Sequence, residues 1–266
     1  MIIDIHTHIF PENLAERAIK TLSDRCNILP KTDGTYKGLL ESMHKSNVDR
    51  SAIMHIATKP SQTIGINDWA LSLSSENEGL ICFGTIHPKM DNWQDEINRL
   101  VANGFPGIKF HPDYQEFFVD DAEIFPIYKA LADSGLIVLF HAGVDIGLPP
   151  PVHCTPDRLA RVLDAVPNLK VIAGHMGGYA LWDDVEKYLI GRNLYLDTSF
   201  SLEDLGEDRM ISMIKKHGPD MVLFGTDSPW TGQAEEIEKL RNLNLKSNEI
   251  DGILGENARI LLGSHI

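Results

Sequence analysis

Eight short apolar runs, separated by helical patterns, constrain the fold of this chain more than any other feature. Most of them are apolar throughout rather than alternating, which is typical of parallel strands that are covered on both faces. A strand followed by a helix, eight times over, predicts an α/β fold of the (β/α)8 type, the TIM barrel. The runs cover residues 1–5, 51–56, 80–86, 107–110, 136–140, 170–173, 194–197 and 221–224.

Helical periodicity and capping residues occupy the intervals between the runs. Trp93, Ile97, Leu100 and Val101 recur on one helical face, and Gly135 is suited to the end of a helix. We predict helices at 93–103, 123–134, 155–166, 182–190, 205–217, 235–243 and 249–262. We expect three longer segments to form pocket walls because they leave the carboxyl ends of strands. These are 11–45 (with 27–38 as loop), 112–121 and 143–154.

The alternative fold is an open, doubly wound parallel sheet. Such a sheet binds its ligand at one crevice and often carries a glycine-rich phosphate loop, but this chain has neither a GxGxxG motif nor a P-loop. Its chemically active side chains instead follow most of the eight runs, as in a barrel whose site lies at the carboxyl ends of the strands. The chain has 266 residues, and we expect one domain over residues 1–266 because a barrel typically needs about 250 residues.

Composition argues against several classes of protein. The formal net charge is −14, so the surface should repel nucleic acid and anionic membranes. No run reaches the ~18 apolar residues of a membrane span, and no signal peptide is visible. The three cysteines have no CxxC spacing, which argues against a disulfide framework and indicates a reducing compartment. We therefore expect a cytoplasmic protein that acts on a small molecule.

Histidines and an aspartate at the ends of the predicted strands form a candidate metal site. His6 and His8 lie two residues apart on the first strand, so both imidazoles can point to the same side of it. His141 and Asp227 follow the fifth and eighth strands and complete a set of three imidazoles and one carboxylate. This set suits zinc, and also manganese, iron, cobalt or nickel. The carboxylate of Asp227 could also act as the base that orients a water molecule.

The order of these motifs resembles the amidohydrolase superfamily. The motifs are DxHxH after the first strand, a histidine after the fifth, His175 after the sixth and TDSPW after the eighth. The resemblance is to the amidohydrolase-2 group, which contains metal-dependent hydrolases and aromatic-acid decarboxylases. It implies that His6, His8, His141 and Asp227 bind the catalytic metal. It also implies that His175 is either an acid/base catalyst or a ligand of a second metal, and a homodimer would be in keeping with this group.

Lys109 and His111 have two interpretations each. In binuclear members of the superfamily, a lysine at the end of the fourth strand is carboxylated and bridges two metals, and Lys109 fits that position. Alternatively, Lys109 faces a substrate anion or pairs with a buried carboxylate such as Asp4 or Asp197. His111 lies two residues further along the same strand and is a candidate for substrate or second-metal binding.

Several other residues are weaker candidates. We expect Asp197 to orient a metal-binding histidine or to cap its loop, and His55 to be a hydrogen-bonded core histidine. Arg158 and Arg161 could contribute to a carboxylate-binding pocket.

Three functions are compatible with these motifs. The first is a metal-dependent hydrolase, in which an activated water attacks an amide, ester or lactone, with Asp227 and His175 as catalytic groups. The second is a metal-dependent nonoxidative decarboxylase of a small aromatic or unsaturated acid. The third, a noncatalytic metal-binding protein, is disfavoured because no ligand is missing. The compactness of the chain favours the hydrolase, since decarboxylases of the group are generally longer.

Overall fold

The structure is a computed structural model that describes residues 1–265. Eight parallel strands form one sheet in the order β1 to β8, each paired with the next along the chain. The α/β prediction of a (β/α)8 barrel is therefore confirmed. The strands are β1 Ile3–Thr7, β2 Arg50–Met54, β3 Leu80–Thr85, β4 Gly107–Phe110, β5 Ile137–Phe140, β6 Lys170–Ala173, β7 Tyr195–Asp197 and β8 Val222–Leu223.

The first and last strands meet through backbone hydrogen bonds just beyond the short strand β8. Ile5 N–H donates to Phe224 O at 2.8 Å, and Asp227 N–H donates to His6 O at 2.8 Å. Thr7 and Ser228 form an isolated parallel bridge. The segment after β8 is thus fixed directly against the strand that carries the two histidines of the DxHxH motif.

The register between β1 and β2 shifts between Asp4 and Thr7. Asp4 accepts hydrogen bonds from Thr226 and Gln233, whereas the ring of His6 contacts other partners. Irregularities of this kind re-aim side chains and are common beside active sites. The simple alternation assumed from the sequence therefore does not describe the whole of β1.

The helices surround the barrel and agree with the predicted ones after strands β3, β4, β5 and β6. The structure splits the predicted closing helix at a π-helical turn, Gly252–Glu256. It also adds five helices that were not predicted, namely Glu12–Cys26, Tyr36–Ser46, Thr63–Glu76, Pro112–Gln115 and Leu202–Leu205. The helices are α1 Glu12–Cys26, α2 Tyr36–Ser46, α3 Thr63–Glu76, α4 Trp93–Ala102, α5 Pro112–Gln115, α6 Phe125–Asp133, α7 Pro156–Ala165, α8 Trp182–Tyr188, α9 Leu202–Leu205, α10 Glu207–His217, α11 Gln233–Asn242, α12 Ser247–Asp251 and α13 Asn257–Leu262.

Two layers of apolar side chains hold this arrangement together. Alternate residues of the strands fill the barrel interior, including Ile81, Phe83, Ile137 and Leu139. The residues between them point outward and pack against the helices, as Val138 does. This division accounts for strands that are apolar on both faces. Within the described part of the chain, no helix is both long enough and apolar enough to cross a membrane.

Candidate metal centre and its cavity

A cavity of about 680 Å³ opens at the carboxyl ends of the strands. Polar side chains that follow the strands line one part of it, and apolar side chains of the connecting segments line the rest. All three predicted segments, 11–45, 112–121 and 143–154, contribute to its walls, the second of them through Tyr114. The polar lining includes His8, His55, His111, His141, His175, Asp145 and Asp227, and the apolar lining includes Phe10, Leu14, Leu22, Ile66, Trp69, Val144, Phe200 and Trp230.

Three of the four predicted metal ligands converge at this cavity. A ring nitrogen of His6, a ring nitrogen of His8 and a carboxylate oxygen of Asp227 all lie within 4.8 Å of one another. Asp227 Oδ1 is 3.1 Å from His8 Nε2 and 3.6 Å from His6 Nε2. Two imidazole nitrogens and a carboxylate oxygen in this arrangement suit a divalent transition metal.

The hydrogen bonds that His6 and His8 make through Nδ1 leave the lone pair of each ring on Nε2, the nitrogen that faces Asp227. His8 Nδ1 lies 3.0 Å from Met54 O, and since a carbonyl oxygen only accepts, Nδ1 carries the proton and Nε2 has the lone pair. His6 Nδ1 lies 2.9 Å from Asp197 Oδ2 and donates to it in the same way. Metal-binding histidines commonly donate their second N–H to a carboxylate or a carbonyl, so both residues fit a metal.

Asp197 is the residue that fixes this geometry, in the role the sequence suggested. It is fully buried, and its Oδ1 accepts from the backbone N–H of His175 at 3.0 Å and of Ser199 at 3.1 Å. Burial alone would raise the pKa of Asp197, but the neighbouring His6 and the bonds to Ser199 lower it below its ordinary value. Asp197 is therefore a carboxylate that orients the ring of one histidine and the backbone of another.

Asp227 is held in an unusual backbone conformation. Its φ is +66°, in the left-handed region, which a non-glycine residue adopts at a cost of order 1–3 kcal/mol. The hydrogen bond from its N–H to His6 O helps to hold it there. Burial raises the pKa of Asp227, but the adjacent rings of His8 and His6 lower it to about 2. The side chain is therefore an ionised carboxylate at the cavity.

His141, the fourth predicted ligand, lies in a neighbouring group with His111 and Asp145. His141 Nδ1 is 2.9 Å from His175 Nε2, and its ring stacks on that of His111 with centroids 4.0 Å apart. Its Nε2 is buried and has no hydrogen-bond partner among the described residues. His175 therefore connects His141 to the group of His6, His8 and Asp227. The ring centroid of His175 is 5.2 Å from that of His6.

His111 differs from the other histidines in its hydrogen bonds. Its Nδ1 accepts from the backbone N–H of Tyr114 at 3.4 Å, at the start of α5. The proton of the neutral ring is then on Nε2, which lies 3.2 Å from Asp145 Oδ2. Burial lowers the pKa of His111, in keeping with a neutral ring. A nitrogen that donates to a carboxylate has no lone pair for a metal, so this geometry favours a substrate-binding role over the second-metal role.

Lys109 contacts a histidine rather than the carboxylates suggested by the sequence. Its Nζ lies 2.9 Å from His6 Nε2, while Asp4 binds Thr226 and Gln233 and Asp197 binds His6 and Ser199. Burial lowers the pKa of Lys109 to about 8, although the charges of Asp227 and Asp197 raise it. The amine therefore adjoins the metal-facing nitrogen of His6.

Other sequence candidates have different outcomes. His55 is buried and its Nδ1 lies 2.9 Å from Phe83 O, as expected for a hydrogen-bonded core histidine. Arg158 and Arg161 both pair with Asp120 and do not line the cavity, so the prediction that they bind a substrate carboxylate was wrong. Sequence reasoning did not identify Asp145 or Ser199, because neither residue belongs to a motif.

Solved structures with a similar fold are numerous, and three illustrate the likeness. An uncharacterized TIM-barrel protein from Bordetella bronchiseptica aligns with a TM-score of 0.77 at 19% sequence identity, over 99% of each chain. The 5-carboxyvanillate decarboxylase of Sphingomonas paucimobilis aligns with a TM-score of 0.75 at 16% identity, over 98% of each chain. A dihydroxybenzoic acid decarboxylase from Polaromonas, with bound manganese and an inhibitor, gives 0.72 at 17% identity, over 98% of this chain and 96% of its own.

These comparisons correct the preference for a hydrolase. Most of the similar structures with a named activity are decarboxylases of aromatic acids, so the main functional prediction was wrong and its alternative is the better supported one. The preference rested on the compactness of the chain. The alignment with the Sphingomonas decarboxylase nevertheless covers 98% of both chains, so compactness does not separate the two. Zinc is not specifically supported either, since the Polaromonas enzyme contains manganese.

Comparison with known sequences identifies the family of this chain but not its activity. No curated protein is similar enough to the chain to count as a match. A family model described as amidohydrolase does match, over residues 3–264. That match spans all eight strands, the three converging ligands and the histidines of the cavity, and the chain accordingly belongs to the amidohydrolase family.

Proposed function

We propose that the protein is a metal-dependent nonoxidative decarboxylase of a small aromatic or unsaturated carboxylic acid. The observation that carries this proposal is the convergence of the ligand atoms of His6, His8 and Asp227 at the polar end of a largely apolar cavity. The named activities of the similar structures support the same reaction. In that reaction the bond between the carboxylate and its carbon breaks, CO2 leaves, and the electron pair on the carbon takes up a proton.

His6 Nε2, His8 Nε2 and an oxygen of Asp227 would hold the metal, and His141 Nε2, which has no hydrogen-bond partner among the described residues, is a further candidate. Manganese is the ion named for one similar enzyme. When bound, the metal supplies positive charge that binds the substrate's carboxylate and hydroxyl oxygens. Asp197 keeps the proton of His6 on Nδ1, so that the lone pair of the ring stays on Nε2, beside the amine of Lys109.

His175 is the proposed proton donor to the substrate carbon. It lines the cavity, and its Nδ1 donates to Ser199 O at 3.0 Å, which fixes the direction of the ring. Its Nε2 faces His141 Nδ1 at 2.9 Å, so a proton can be held between the two rings. A positioned acid of this kind contributes roughly 10²–10⁴-fold to a rate.

The apolar walls support the same reaction. Phe10, Ile66, Trp69 and Phe200 line the cavity together with the polar cluster. A substrate that fills the cavity would displace water from around its carboxylate. Exclusion of water strengthens electrostatic contacts inside a site and limits side reactions. Loss of CO2 moves the negative charge from the two carboxylate oxygens, which water solvates strongly, to the carbon, so a poorly hydrated site favours this step.

The test is an assay of the manganese-loaded protein in D2O with a panel of hydroxybenzoates and unsaturated acids that carry a ¹³C-labelled carboxylate. We expect labelled CO2 and one deuterium on the product carbon for each CO2 released. Amides, esters and lactones of similar size provide the comparison. Release of an amine or alcohol without CO2, or no CO2 from any acid in the panel, would contradict the proposal.

The variant His175→Asn distinguishes between two roles of His175, as proton donor and as metal ligand. The Asn amide can still donate to Ser199 O, but the Nε2 nitrogen is gone. We expect at least about 100-fold slower turnover with unchanged metal content. If the metal content falls instead, His175 is a ligand and the assignment of the proton donor is wrong.

A further inference from the structure

Helix α1 contributes a continuous face to the cavity. The residues that line it are Leu14, Arg17, Ala18, Thr21, Leu22 and Cys26, spaced by three or four positions along the helix and therefore on one side of it. We call these six residues the α1 face. A second stripe, Ala15 and Ile19, is buried. Leu14, Ala18 and Leu22 of the α1 face adjoin this buried stripe, so the helix has one broad apolar side that packs on the protein body along one edge and borders the cavity along the other.

The cavity is large for the acids that the proposed function first suggests. An apolar cavity of about 150 Å³ is enough to hold benzene, whereas this one measures about 680 Å³. A monocyclic acid at the polar end would therefore leave most of the volume to water. Specific sites usually bury most of the surface of their ligand.

The unfilled part of the cavity is bordered mainly by apolar side chains. Leu22 of the α1 face and Ile66 and Trp69 of α3 all line it. Two apolar residues at the margin, Leu14 and Ile146, are 40% and 43% exposed and also line the cavity. Large apolar side chains at the rim of a pocket are typical of ligand-binding grooves.

We propose that the substrate is a carboxylic acid with a bulky apolar substituent, larger than a single ring, that lies along the α1 face and α3. The identity of the acidic end rests on the proposed function; the apolar end rests on the cavity alone. The α1 face then determines which acids are accepted, through contacts remote from the metal ligands.

The test measures binding rather than turnover, with two series of ligands. The first runs from benzoate to 4-heptylbenzoate, and the second contains the corresponding benzamides. Each methylene that enters an apolar site contributes about a fourfold gain in affinity when fully buried. We expect Kd for the manganese-loaded protein to fall about twofold to fourfold per methylene over at least four methylenes, with one ligand bound per chain.

A substitution on the α1 face checks where the chain lies. Ala18→Trp places an indole in the cavity and should abolish most of the dependence of Kd on chain length, while benzoate still binds. Glu16→Trp is the matched control, because Glu16 is exposed on the same helix and does not line the cavity. Ile66→Trp repeats the test from α3 in case Ala18→Trp does not fold, which circular dichroism would show.

The outcomes separate the two proposals. A chain-length dependence in both series, lost in Ala18→Trp or Ile66→Trp but kept in Glu16→Trp, supports the apolar subsite. A Kd that changes less than threefold over the whole series, or a dependence that survives both cavity substitutions, overturns it. Equal affinity of benzoates and benzamides would count against the acidic end, and so against the proposed function, without affecting the subsite.

Discussion

Replacing Asp197 with asparagine should impair metal binding without disturbing the fold. The substitution is nearly isosteric, and its effect can be read atom by atom. Oδ1 accepts from the backbone N–H groups of His175 and Ser199 and from the Ser199 hydroxyl, and an amide oxygen can replace it. Oδ2 accepts from His6 Nδ1 at 2.9 Å, where the variant would present an N–H to an N–H.

The size of the effect on metal affinity follows from the two N–H groups that would face each other at the position of Oδ2. To relieve this contact, His6 must move its proton from Nδ1 to Nε2, and a protonated Nε2 cannot bind a metal. A hydrogen bond to a charged group contributes about 1.5–3 kcal/mol, and the loss of such an outer contact typically lowers metal affinity 10–100-fold. We therefore expect manganese to bind Asp197→Asn about 10–100-fold more weakly than the wild type.

Metal affinity is measured by competition with a chelator of known affinity, with circular dichroism and thermal unfolding of the metal-free protein as checks on the fold. Asp164→Asn is the matched control, because Asp164 is exposed and pairs with Arg192 far from any metal ligand. A change of less than threefold in Asp197→Asn would refute the argument from the proton on His6. A loss of metal that merely follows loss of fold would refute it equally.

Three further predictions concern the metal, the pH dependence of stability and the backbone. His8→Ala should lose metal, measured by elemental analysis, and turnover, while thermal unfolding changes little; full metal content would exclude it as a ligand. Burial lowers the pKa of His55 to about 4, so below pH 6.5 the unfolded chain takes up a proton that the native chain does not, and stability falls as pH falls. The comparison is with His55→Asn, whose amide can still donate to Phe83 O. Between pH 7 and pH 5 the free energy of unfolding of the wild type should fall by about 2 kcal/mol more than that of the variant, and equal falls would contradict this. Gly143→Ala should destabilise the protein by at least about 2 kcal/mol, because φ at this residue is +85° and the new Cβ would lie 2.1 Å from Tyr179 N. Thermal unfolding would show this as a lower melting temperature, and an unchanged melting temperature would be inconsistent with that contact.

The strands and the order of the ligands could be predicted because both leave local signals. A buried parallel strand is a short apolar run, and His6, His8 and Asp227 each directly follow or end such a run. Helix α3 left no comparable signal, because it has apolar residues on several sides where it borders both the core and the cavity. Helix α1 carries Leu14, Ala15, Ala18, Ile19 and Leu22 on one broad apolar side. This pattern was overlooked because the segment 11–45 was interpreted only as a pocket wall.

The grouping of the remaining histidines depends on contacts that no spacing encodes. His111 and His141 are both at the ends of strands, yet their roles differ. The backbone N–H of Tyr114 donates to Nδ1 of His111, and Asp145, in a loop, lies beside Nε2 of the same ring. The partner of Lys109 likewise depends on which buried group lies closest in three dimensions. Sequence reasoning named the right residues at these positions but could not assign their hydrogen bonds.

The contact between the first and last strands has a consequence for biosynthesis. His6 and His8 leave the ribosome with β1, whereas Asp227 and the backbone that fixes it against His6 follow only after β8. The three ligand atoms cannot meet before the barrel closes, so the metal cannot assist the folding of the nascent amino-terminal half. Metal acquisition should therefore be a late, post-translational event, and a chain arrested before β8 should bind manganese no better than an unfolded peptide.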